Sequence, residues 1–168
     1  MEAAEKTLVN AFVRAKKTFS CAESCTGGLI SKKITDVSGA SEMFLGGVVS
    51  YANDVKAHVL GVSEEALKTV GAVSKEVAAQ MALGVMKLMS SDYAVSVTGI
   101  AGPGGGTDKK PVGLVYIAAA SKEHSLVYVT ENHFSGSREE VREKTAIRAL
   151  NMAMEIFESG KISGALEM

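Results

Sequence analysis

A chain of 168 residues, 46% apolar and 22% charged, has the makeup of one soluble globular domain able to bury a sizeable core. A formal net charge of −1 lacks the basic footprint of a nucleic-acid binder, and no apolar run nears the roughly 20 residues of a membrane span, so neither partner is expected. The opening Met1-Glu2-Ala3-Ala4-Glu5-Lys6 lacks a signal-peptide layout and Cys21 and Cys25 make no disulfide framework, which points to the cytoplasm.

Residues 2–17 place Leu8, Ala11, Phe12 and Ala15 at helical spacing, with charge opposite. Phe19 to Glu23 reads as the first strand, and Leu29 to Val37 as a helix ending near Gly39. Phe44 to Tyr51 reads as a strand whose Gly46-Gly47 pair suggests a bulge or a close backbone approach. Asn53 or Asp54 can cap a short helix through Leu60, stopped by Gly61. Ser63 begins another short helix, with Gly71 past its end. Ser74 opens a longer one to about Met89, with Val77, Met81, Val85 and Leu88 on one face.

Tyr93 to Thr98 reads as a buried strand, followed by the glycine-rich loop 99–106. Gly113 to Ala120 and Ser125 to Phe134 read as a hairpin turning at Lys122-Glu123-His124. Ser137 caps a final helix to about Glu158, carrying Val141, Ile147, Leu150, Met154 and Phe157 inward. The order predicts one domain over 1–160, a three-layer α/β/α fold with a mixed sheet, and a loose tail at 161–168.

Three glycine-bearing loops each follow a predicted strand: Ser24 to Gly28, Thr98 to Gly106, and Ser135 to Arg138. If those strands share a sheet and a direction, the loops line one edge of it, where open α/β sheets bind ligands. Backbone N–H groups in such loops favour anions, and Arg138 and Arg142 share a face at the start of the last helix, suiting a phosphate. None of the loops matches a Walker A or a complete dinucleotide fingerprint.

The residue types leave alternatives open. Ser24 is either a helix N-cap or a nucleophile beside helix N–H groups. Cys25 is a small buried hydrophobe or a thiol nucleophile, and Glu23 a surface carboxylate or a group that orients the loop. Tyr51 suits a core or rim position as well as a site. Lys56 can be a solvated charge, and the two arginines can pair with Glu139, Glu140 and Glu143. His58, His124 and His133 show no ligand spacing with the cysteines, so no metal site is expected, and a Ser-His-Asp triad lacks an obvious base.

The run Ala22-Glu23-Ser24-Cys25-Thr26-Gly27-Gly28 resembles the opening motif of the CinA carboxy-terminal domain family, whose characterised members are nicotinamide-nucleotide amidases. The resemblance continues through Gly47-Val48-Val49-Ser50-Tyr51 with Asn53 and Lys56, Gly71-Ala72-Val73-Ser74, and Ser96 to Pro103 with Gly105. Lys110-Pro111-Val112-Gly113 and Phe134-Ser135-Gly136-Ser137-Arg138 complete it, over about residues 5–158. It implies removal of the amide from nicotinamide mononucleotide by a serine–lysine pair, without metal or cofactor, in pyridine nucleotide recycling. Carried over, the serine is Ser24 and the lysine Lys56, with Tyr51 at the same site.

On that reading, backbone N–H groups of Cys25, Thr26 and Gly27 form the oxyanion hole. Glu23, Thr98, Gly99, Gly102, Gly105, Gly136, Arg138 and Arg142 are the expected substrate contacts. Burial or a nearby cation would have to favour neutral Lys56. Longer relatives carry a further amino-terminal domain, not among these 168 residues, whose activity is not carried over. The partners implied are a small nucleotide substrate and further copies of the chain in a homo-oligomer. The rival class is a non-catalytic nucleotide-binding or interaction module linked to competence or DNA damage, for which the pairing of Ser24 with Lys56 would have no use.

Overall fold

The computed structural model describes residues 1–168. Its elements follow the apolar periodicity closely: α1 (Ala4–Ala15), β1 (Phe19–Glu23), α2 (Leu29–Thr35), a 3-10 turn (Ala40–Glu42), β2 (Phe44–Val49), α3 (Asn53–Leu60), α4 (Glu64–Thr69) and α5 (Lys75–Met89). Then come β3 (Tyr93–Gly99), β4 (Leu114–Ser121), β5 (Leu126–His133), α6 (Arg138–Ser159) and β6 (Leu166–Glu167). One six-stranded sheet runs β2-β1-β3-β4-β5-β6. β1 is parallel to both β2 and β3, and the remaining pairs are antiparallel, so the sheet is mixed as expected.

Helices α1, α2 and α6 pack together on one face, and α5 with α3 and α4 on the other. The first layer closes over an aromatic cluster. Phe12 of α1 is fully buried, its ring 5.7 Å from Phe19, 5.3 Å from Tyr93 and 4.8 Å from Phe157. In the second layer Val77, Met81 and Val85 of α5 are fully buried, each worth about 1.5–3 kcal/mol of apolar transfer. Strand β3, buried on both faces, forms the floor between the layers.

The chain reverses its lateral course at β1. It reaches β2 through α2 on one face, then crosses back to β3 through α3–α5 on the other. Loops leaving β1 and β3 therefore meet at a switch point at the carboxyl ends of the strands, and β5, parallel to β3, delivers its own loop to that edge. Gly46 and Gly47 serve both expected purposes. The β1–β2 register shifts beside them, and a Cβ on Gly47 would lie 2.5 Å from Ser31 Oγ of α2.

Several expectations change. Asn53 and Asp54 are the first residues of α3 rather than its cap, which is Ala52 with no side-chain bond. Leu88 and Ile147 are 52% and 39% exposed, off the faces of α5 and α6 that are buried. In α1, Val9 is buried while Ala15 is exposed. The tail is not loose: Ile162 is buried, and β6 pairs with Tyr128 and Val129 of β5. No helix is long and apolar enough to cross a membrane.

Candidate active site

The turn after β1 is built around Glu23. This carboxylate is fully buried at the last position of the strand, pointing under the turn. Its Oε1 accepts from Thr26 Oγ1 at 2.7 Å and from the Ile30 N–H at 2.8 Å; its Oε2 accepts from the Ser31 N–H at 3.0 Å and Ser31 Oγ at 2.8 Å. Two otherwise unpaired N–H groups at the start of α2 are thereby satisfied. Glu23, read as a substrate contact, is a brace for the turn. Ser24 is not the cap of α2 either: that position is Gly28, and Glu23 does the capping chemistry.

Ser24, released from that duty, stands at the end of β1 with its N–H on Val97 O of β3. Lys56 reaches it from α3. The lysine is 1% exposed, and its Nζ lies 3.0 Å from Ser24 Oγ, 2.7 Å from Ser50 O and 3.3 Å from Tyr51 O. Burial pushes the Lys56 pKa down from the ordinary lysine value. Of the two expected causes, burial is the operative one, and no arginine contributes. Three oxygen partners surround the Nζ. The Nζ donates to Ser24 Oγ and to both carbonyls; on losing a proton it would keep the two carbonyl bonds and turn its lone pair to the Ser24 hydroxyl.

Cys25 is 6% exposed, and burial pushes its thiol up to about 12, which leaves almost no thiolate near neutrality. The buried sulfur belongs to the apolar core. The backbone is the more useful part of this segment. The N–H groups of Cys25 and Thr26 donate to no protein acceptor, while that of Gly27 donates to Ser24 O at 3.1 Å. Of the three expected oxyanion donors, Cys25 lines the cleft, Thr26 is fully buried away from it, and Gly27 is engaged in closing the turn.

A cleft of about 270 Å³ opens above Ser24 and Lys56. Of the expected residues, Ser24, Cys25, Tyr51, Lys56, Thr98, Gly99, Gly102, Gly105 and Arg138 line it. Thr98 is buried, and its hydroxyl donates to Ala72 O at 2.8 Å, tying β3 to the segment that enters α5. Arg138 donates to Gly102 O at 2.8 Å and to Tyr51 Oη at 3.2 Å, joining all three walls of the cleft. Tyr51 is 62% exposed, a rim residue whose hydroxyl faces Arg138 and whose carbonyl touches Lys56.

Gly136 and Arg142 do not line the cleft. Gly136 adopts φ 117°, and a Cβ there would strike the Glu140 carboxylate, so the position makes room for the Ser137–Glu140 capping box of α6. Arg142 turns to the rear of the Ser24 turn, where it donates to Cys25 O and Thr26 O. The lining also includes Asn53, Ala72, Val73, Ile100, Ala101 and Gly104, which the expected site did not contain. Asn53 and Ala72-Val73 lay within the motifs already quoted, so that signal could have found them. No cluster of three or more His, Cys, Asp or Glu side chains forms a candidate metal centre.

The model of the CinA C-terminal domain family matches residues 1–157. The chain is 55% identical over 137 residues to a CinA-like protein of Endomicrobium trichonymphae, covering 82% of this chain and 32% of that one. It is 47% identical over 149 residues to a CinA-like protein of Thermotoga maritima, covering 89% and 36%. It spans about a third of the length of the curated relatives it matches.

Among solved structures, the competence/damage inducible protein CihA of Agrobacterium tumefaciens superposes with a TM-score of 0.89 at 39% identity, covering 94% of this chain and 98% of that one. A CinA superfamily protein of Escherichia coli gives 0.86 at 29% identity, covering 91% and 88%. A shared switch-point architecture and close sequence identity across nearly all these residues agree: the chain belongs to the CinA C-terminal domain family.

Proposed function

We propose that this domain hydrolyses the carboxamide of nicotinamide mononucleotide, giving nicotinate mononucleotide and ammonia, through a Ser24 acyl-enzyme. The observation that carries the reading is the buried Lys56 Nζ at 3.0 Å from Ser24 Oγ, with a lowered pKa and two carbonyls holding its N–H groups. The cleft also suits the substrate: no carboxylate lines it, and Arg138 gives its rim a positive charge for a phosphate.

The steps follow from these positions. Neutral Lys56 takes the Ser24 hydroxyl proton as Oγ bonds to the carboxamide carbon. The carbonyl oxygen becomes an oxyanion facing the N–H group of Cys25 on the cleft wall, where a strong donor is worth about 3–4 kcal/mol. The intermediate collapses with cleavage of the C–N bond, and protonated Lys56 supplies the proton with which ammonia leaves. A water, deprotonated by Lys56, then adds to the ester carbon, and the proton returns to Ser24 as nicotinate mononucleotide is released.

Ammonia release from nicotinamide mononucleotide by the purified protein tests the reading. Ser24→Ala and Lys56→Ala are each expected to lower kcat by at least about 10³-fold, while binding of the nucleotide persists. Retained turnover in either variant would sink the dyad. Nucleotide binding with no turnover in the unaltered protein would make the domain a binding module instead.

A further inference from the structure

We infer that Lys110 is a positioning residue that clamps the glycine-rich loop after β3 to the Ala72-Val73 wall of the cleft. The inference rests on the amidase reading only through the nucleotide used to test it. Between Ala101 and Lys110 the chain makes two hydrogen bonds to the rest of the molecule. At one end Arg138 donates to Gly102 O, and at the other Lys110 Nζ donates to Val70 O at 2.5 Å. Residues 103–109 are all exposed, so burial contributes little to holding them.

Both partners of the Lys110 bond suit that task. Val70 follows the last residue of α4, where helix carbonyls lack a partner within the helix. Lys110 belongs to no ion pair, so its amine is committed to this carbonyl. The Nζ also lies against Gly71, where a Cβ would come within 3.2 Å of it. Gly71 immediately precedes Ala72 and Val73, which line the cleft, and Thr98 holds Ala72 O from β3.

The clamp reaches the cleft-lining part of the loop through the packing of the loop on itself. Lys110 and Thr107 close a turn by two bonds, Thr107 N–H to Lys110 O at 2.8 Å and Lys110 N–H to Thr107 Oγ1 at 3.0 Å. Val112, two residues on, fills the space beside Gly102, where a Cβ would fall 2.4 Å from Val112 Cγ1. Gly102, Gly104 and Gly105 line the cleft. So many glycines leave a free loop with many conformations, and a clamp removes them before the ligand arrives. Ser24 and Lys56 stand on the turn after β1 and on α3, outside this loop, so the clamp governs binding and not the chemical step.

Lys110→Met, which keeps the stem and removes the amine, tests the assignment beside Lys110→Arg, which keeps a donor. Each is checked by thermal melting before kinetics. In Lys110→Met, KM for nicotinamide mononucleotide is expected to rise about 5–30-fold as the binding-competent loop becomes a minor state, while kcat stays within about threefold. Asp-N protease, which cuts before Asp108, should nick the loop at least about fivefold faster, and Lys110→Arg should recover most of both effects. An unchanged KM, or a loss carried by kcat, overturns the proposal. A raised KM with unchanged nicking also overturns it and makes Lys110 a direct ligand of the nucleotide. No ammonia release by the unaltered protein overturns the amidase reading alone; the nicking ratio and the nucleotide Kd from calorimetry still decide Lys110. If Lys110→Met does not fold, Lys110→Gln gives the same readouts.

Discussion

Lys56 is the residue on which this site turns, because a lysine serves as a base only where its charge is disfavoured. Its Nζ is enclosed by two carbonyls and a hydroxyl, with no carboxylate beside it to stabilise the cation. Cys25, the one neighbour that could hold the lysine charged, does so only as a thiolate, and its own thiol is pushed up to about 12. The sign for catalysis is then clear. A base with a lowered pKa is unavailable below that pKa and fully available above it, so kcat/KM should rise with pH and level off. The plateau is expected below the ordinary lysine value of about 10.4. A pH–rate profile checks this; a limb still climbing through that value would remove Lys56 as the base.

At the scale of elements, the site depends on how closely α3 approaches α5, because α3 carries Lys56 and α5 packs on the sheet that carries Ser24. Gly84, in the middle of α5, permits that approach: a Cβ there would fall 1.9 Å from Leu60 O at the end of α3. Gly84→Ala must push the helices apart, an overpacking cost of about 1–3 kcal/mol. The expected outcome is a lower urea midpoint together with a lower kcat, as Lys56 withdraws from Ser24. A stability loss without any kinetic effect would show that α3 does not transmit the strain. The amino end of α6 has the matching role on the other side. Its capping box fixes the first turn, from which Arg138 crosses the cleft mouth and Arg142 reaches behind it.

Across the whole molecule, chemistry and stabilisation are set at opposite margins of the sheet. The cleft lies at the carboxyl ends of β1 and β3, whereas β6 closes the far edge beside β5. β6 holds through its pairing with Tyr128 and Val129, a Met168 N–H bond to Val127 O, and the buried Ile162 just before it. Deleting 161–168 should therefore lower the urea midpoint, with burial of Ile162 alone worth about 1.5–3 kcal/mol. The kcat and KM of the shortened protein should match those of the full chain. A large kinetic change would mean that the β5 edge is coupled to the loop bearing Arg138.

Much of this was legible without coordinates. Apolar period and capping residues are local signals, so the strands at Phe19, Tyr93 and the 114–133 hairpin emerged with their bounds nearly correct. Three loops following parallel strands already implied a shared edge, and motif resemblance named Ser24 and Lys56. What the sequence by itself determined is thus the layered fold and the family pattern, with Ser24 and Lys56 as the candidate pair.

The tertiary structure decided how each group is used, because exposure and hydrogen-bond direction depend on partners distant in the chain. It buried Glu23 under four donors, engaged the Gly27 N–H, and moved Gly136 out of the cleft. It also turned Arg142 toward backbone carbonyls rather than toward a ligand. The tail followed the same rule: residues 161–168 look too short and polar to fold alone, yet the unpaired edge of β5 gives them a place to pair.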